Sequence, residues 1–156
     1  MSRPVTLGSL FVVALLWSAA LTAAPRSAPP ELAAFTYAAG ALICHQQPER
    51  SFYHEAAQYP VCARCFGLYL GAGGGVLLWA GIGGLGRTPR TRAARFTRPS
   101  VARWILIMTA LPTVATVVAS WLGWWDAGNL ARAVLALPLG AVIAGAIAAV
   151  AAGDLR

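Results

Sequence analysis

Lysine is absent from this chain and acidic residues are scarce: twelve arginines face five aspartates and glutamates, and only 11% of the 156 positions are charged. A soluble domain has about a quarter of its residues charged, so this shortage argues against one, and 58% of the positions are apolar. The formal net charge of +7 and a pI near 10.4 would suit nucleic acid if the arginines formed a basic face. Half of them instead crowd into one short stretch between apolar runs. A topology signal explains that placement better, and no nucleic-acid partner is expected. Arginine to the exclusion of lysine, beside abundant alanine and glycine, reads as coding bias. Also missing are the His-Glu-x-x-His zinc-protease motif, a phosphate loop and a nucleophile elbow. No hydrolase is recognisable, and whether the chain is an enzyme stays open.

What the sequence does have is long uncharged runs. Crossing the hydrocarbon core takes about 20 mostly apolar residues, and four runs reach that length: Pro4 to Pro25, Cys65 to Gly86, Trp104 to Trp125 and Ala133 to Gly153. A shorter run, Leu32 to Ile43, predicts an interfacial or re-entrant helix resting on the bundle. The expected fold is therefore all-α, a single-domain four-span transmembrane helical bundle with an extracytoplasmic Cys/His segment over residues 31–65. The first run also has features of a signal peptide, with Arg3 before it and small residues at Thr22-Ala23-Ala24. Its apolar core exceeds the usual length of such a peptide, so a retained helix is expected.

Orientation follows from residues 87–103, where Arg87, Arg90, Arg92, Arg95, Arg98 and Arg103 occur without an acidic residue. The positive-inside rule assigns this loop to the cytoplasm. Both termini then fall inside, in a bacterial or archaeal cytoplasmic membrane, and residues 26–64 and the turn at Asp126 fall outside. Glycines recur every fourth residue at Gly67, Gly71 and Gly75, a small-residue stripe that lets a neighbouring backbone come close, within the bundle or between copies. Pro112 and Pro138 are expected to kink the third and fourth spans.

All three cysteines and both histidines lie within the 22 residues from Cys44 to Cys65. Cys62 and Cys65 stand at the outer start of the second span, where the helix dipole and Arg64 favour thiolate over thiol. Thiolates bind metals, and Cys44 and His45 from the connecting segment complete a Cys3His set with Cys62 and Cys65, a common zinc arrangement. Copper(I) and an iron–sulfur centre suit three thiolates as well. His54 is an alternative ligand or a supporting residue. With only three protein ligands, an open position would activate water, with Glu55 or His54 as candidate catalytic base. A thiol–disulfide oxidoreductase using Cys62 and Cys65 is a second reading, weakened by the lack of a second cysteine pair. A non-catalytic assembly or transport partner is a third. Arg132 sits just inside the fourth span, where a charge is costly. Together with Arg50, Arg64 and Asp126 it forms a candidate pocket for an anionic small molecule or lipid headgroup.

At this segment the chain resembles domain-of-unknown-function family 2085, predicted multi-pass membrane proteins of bacteria and archaea. The resemblance rests on Cys44-His45-Gln46, on Pro48-Glu49-Arg50-Ser51-Phe52 and on Cys62-Ala63-Arg64-Cys65-Phe66-Gly67-Leu68-Tyr69-Leu70-Gly71. It extends more loosely to Asn129, Arg132 and Gly140 and covers roughly residues 30 to 150. It implies a multi-pass protein with a Cys-His and Cys-x-x-Cys signature, and no activity.

Overall fold

The computed structural model describes residues 2–84 and 99–153. Among the described residues five α-helices carry the architecture: α1 (Arg3–Ala23), α2 (Pro30–Ile43), α3 (Ala63–Gly84), α4 (Pro99–Trp121) and α5 (Gly128–Ala151). A single 3-10 turn (Pro48–Arg50) and an antiparallel hairpin, β1 (Ser51–His54) and β2 (Ala57–Cys62), join α2 to α3. The hairpin corrects the all-α expectation. Phe52, Tyr53, Tyr59 and Val61 are strong strand formers, and Phe52 and Tyr59 pack edge-to-face on each other and on Phe66 of α3, with centroids 5.4–6.1 Å apart. Its two-residue turn, Glu55-Ala56, has neither Asn nor Gly, so the usual hairpin signature is missing.

Among the described residues, α1, α4 from Ser100 and α5 are long and apolar enough to cross a membrane. Their large apolar side chains point outward: Val13, Leu16, Met108, Leu130 and Val150 are each at least 60% exposed, a surface that lipid covers and water would not tolerate at this extent. Helix α3 is of similar length but carries Arg64 in its first turn and is rich in glycine, and it is not among the three. Residues 87–98 of the expected cytoplasmic loop 87–103 lie outside the described residues, as does Arg156, and residues 99–103 are helical, the first turn of α4.

Helices α3 and α5 form the central pair. A Cβ at Gly67, Gly71 or Gly75 would meet the carbonyl oxygens of Ala133, Leu137 and Ala141 at 2.1, 2.2 and 2.0 Å. The glycine stripe thus seats one backbone on the other within the chain, as small residues do in membrane bundles. Both series rise together along the sequence, so α3 and α5 run parallel. Helix α1 lies antiparallel to α3: Leu7 packs near Val76 and Trp79, while Ser18 near its other end donates to the Tyr69 carbonyl at 3.2 Å. Helix α4 docks on α5 through Thr113, whose hydroxyl donates to Leu135 O at 3.0 Å. Pro112 and Pro138 lie inside helices that continue through them. Helix α4 ends where Gly123 adopts φ +71° and the Trp124 N–H returns to Ala119 O at 3.0 Å, the left-handed stop glycine makes cheaply.

A three-cysteine cluster as candidate metal centre

Three elements bring one sulfur each to the start of α3. Cys44 follows the last residue of α2, Cys62 ends β2, and Cys65 lies in the first turn of α3. Their sulfurs all lie within 4.8 Å of one another. A tetrahedral zinc with bonds of about 2.3 Å spaces its sulfurs about 3.8 Å apart, so small side-chain rotations suffice to close the set. All three cysteines are free of disulfides.

Local backbone aims two donors at the Cys44 sulfur. Gln46 adopts φ +47°, which turns the chain back so that its N–H faces the Cys44 sulfur at 3.5 Å; the Cys62 N–H reaches the same sulfur at 3.2 Å. Hydrogen bonding from the Cys65 side chain, aided by the Cys65 backbone, Cys44 and the Arg64 backbone, holds the Cys62 thiol down to about 5 against the opposing effect of burial. The cluster sits in an apolar shell of Leu21, Val61, Trp17, Phe66 and Tyr69, with Trp17 and Tyr69 edge-to-face at 5.9 Å.

A polar network that sequence reading missed fixes the geometry. The Gln46 amide donates to Pro60 O at 2.6 Å and Tyr37 O at 3.1 Å, and the Gln58 amide donates to Gln46 O at 2.7 Å and Ser51 Oγ at 3.1 Å. Ser51 donates to Gln47 O at 2.8 Å, and Tyr37 donates its hydroxyl to Gln58 O. These bonds lace α2, the connector and the hairpin together. Gly40 allows it, since a Cβ there would lie 2.3 Å from Pro60 O. Only the Cys-His-Gln string hinted at a role for Gln46.

The histidines are placed differently from the cysteines. His45 is exposed and lies outside the sulfur group. His54 and Glu55 occupy the tip of the hairpin, where His54 pairs with Ala57, whereas Cys62 pairs with Ser51 at its base. Along β1 His54 is three residues from Ser51, about 10 Å at about 3.3 Å per strand residue, and neither His54 nor Glu55 belongs to the sulfur group.

The arginines do converge. Arg132 donates to Asp126 Oδ1 at 2.7 Å and Asn129 Oδ1 at 3.0 Å. Arg64 reaches Thr116 Oγ1 at 3.5 Å and lies within electrostatic range of Arg132, Arg50, Asp126 and Cys62. Asn129 also donates to Ser51 O at 2.8 Å, tying the start of α5 to the base of the hairpin.

Apolar helices with a soft-donor cluster at one end define a membrane protein equipped to hold a metal ion. The chain belongs to the family described as predicted membrane protein, DUF2085, whose model matches residues 44–146. An uncharacterized protein of Methanocaldococcus jannaschii is 32% identical over 96 residues, 62% of this chain and 55% of that protein. A second uncharacterized protein, from Methanothermobacter thermautotrophicus, is 57% identical over 30 residues, 19% of this chain and 27% of that protein. The chain thus spans about half or less of the length of these relatives. No solved structure matches.

Proposed function

We propose that this protein is a four-span membrane protein whose Cys44, Cys62 and Cys65 hold a zinc ion that clamps the hairpin and α2 onto the bundle. The convergence of three sulfurs within 4.8 Å from three different elements carries this reading. Two backbone N–H groups on the Cys44 sulfur and the apolar shell support it, because buried thiolates need compensating charge. His45, next to Cys44 in the chain, supplies the fourth ligand by turning inward, which makes the site closed and structural. Copper(I) is the main competitor on donor softness.

The parallel run of α3 and α5 supports the fourth span, since two parallel helices joined through α4 imply one intervening crossing. Trp104 and Trp121 on α4 are exposed and lie about 26 Å apart along the axis at about 1.5 Å per residue, close to the hydrocarbon thickness. The arginine-rich loop, residues 87–103, argues for a cytoplasmic position, which puts the termini inside and the cysteines outside. The first helix stays in the mature protein, because Trp17 and Leu21 complete the shell of the cluster.

Elemental analysis of the full chain purified in detergent tests the reading. The expected result is about one zinc per chain, lost in Cys65→Ser. A hydrogen bond between the Cys62 and Cys65 side chains favours one second reading, thiol–disulfide exchange. Metal-free protein with a reductant-sensitive Cys62–Cys65 bond would establish that alternative and reject the zinc clamp.

A further inference from the structure

Arg132 is a cation in an unusual position: its side chain is only 3% exposed, and the one carboxylate it meets, Asp126, is 69% exposed. Its Nε is buried without a partner, and so is the Nε of Arg64. Arg64 comes from α3 and Arg132 from α5, and Arg50 precedes Ser51, whose carbonyl accepts from Asn129, the residue that Arg132 also meets. Of these three guanidiniums Arg132 is buried, Arg64 half-buried and Arg50 exposed, and among the described residues Asp126 is the carboxylate paired with Arg132. Burying cations side by side is unfavourable unless an anion compensates, and a buried N–H without an acceptor is a position for a ligand or ion to fill.

We propose that Arg64 and Arg132, assisted by Arg50, bind a phosphate group where α3, α5 and the base of the hairpin meet. Phosphate fits better than carboxylate for two reasons. The surplus positive charge exceeds one unit, and donors arriving from two helices call for an anion with oxygens on several sides. Thr116, only 3% exposed, accepts from Arg64 at 3.5 Å and donates to Thr113 O at 2.8 Å, so it orients the Arg64 guanidinium from the α4 side. The phosphate comes from a lipid headgroup or from a free phosphate compound. Exposed Trp121, Trp124 and Trp125 at the same end of the bundle put the site at headgroup depth. This site uses no sulfur, and Arg132, far from the cysteines in sequence, probes it apart from the zinc clamp.

The test uses the full chain, delipidated in detergent, with two probes. Isothermal titration measures inorganic phosphate, and native mass spectrometry measures phosphatidylglycerol retained from mixed phosphatidylglycerol–phosphatidylcholine micelles. The expected result is saturable binding of at least one probe by the wild type, weakened roughly tenfold or more in Arg64→Gln and partly kept in Arg64→Lys. Binding of phosphate alone identifies a free ligand; retention of lipid without phosphate competition identifies a headgroup. Arg132→Gln is measured beside them, and Arg64→Gln decides the matter if the former fails to fold. Absence of binding by the wild type, or equal binding by wild type and a folded Arg64→Gln, overturns the proposal.

Discussion

Two residues show how local physics sets the polar end of the molecule. Glu55 holds φ +53° at the first position of the hairpin turn, a conformation that costs a non-glycine residue roughly 1–2 kcal/mol. Glu55→Gly should therefore stabilise the protein by about 1 kcal/mol in denaturant titration; destabilisation would show that the carboxylate makes a needed contact. Asp126 is held below its ordinary carboxyl range, first by the Gly128 N–H and then by Arg132. A depressed carboxyl contributes stability above its unfolded pKa, near 4, and loses it as pH falls through the lower folded value. The thermal midpoint of wild type should exceed that of Asp126→Asn at neutral pH, and the gap should close below about pH 4. A gap that persists in acid would mean that the charge is not what Asp126 contributes. His45 marks the limit of residue-level reading: its place beside Cys44 is plain in the sequence, but its exposure is decided by the turn at Gln46.

At the scale of elements, the α3–α5 seam was partly legible. Glycines at every fourth position announce a close approach, but whether the partner is another span or another copy depends on three-dimensional packing, which puts α5 there. Gly71→Ala should destabilise by about 1–3 kcal/mol, because its Cβ meets the Leu137 carbonyl at 2.2 Å and backbone has to move. Gly74, with nothing within 4 Å of an added Cβ, is the internal control: Gly74→Ala should be neutral or stabilising by up to about 1 kcal/mol. Equal effects at the two positions, read from unfolding in detergent, would refute the seam. Three helices long and apolar enough to cross a membrane were readable from apolar runs, because lipid imposes one simple rule on them. The hairpin was not, since its strands are short, its turn lacks glycine and asparagine, and its stability comes from Phe52, Tyr59 and Phe66 meeting across elements. The amide network of Gln46 and Gln58 was hidden for the same reason: glutamine in a sequence carries no sign of which carbonyl it will find.

For the whole molecule, the arrangement joins a lipid-facing bundle to a small polar cap, and the cysteines lie where the two meet. Cys44, Cys62 and Cys65 could be grouped from sequence by proximity alone, but only the fold shows that they arrive from a helix end, a strand end and a helix start. A metal bound there would tie all three elements, so its removal should loosen the cap before the bundle. Chelation of the purified protein should raise hydrogen exchange in residues 44–62 while leaving the α3–α5 seam protected; uniform exchange changes would argue against a local clamp. The most direct measurement of the central claim is X-ray absorption at the zinc edge of the intact protein. The account predicts three sulfur scatterers at about 2.3 Å with one nitrogen or oxygen. A shell dominated by nitrogen and oxygen, or no zinc at all, would contradict it.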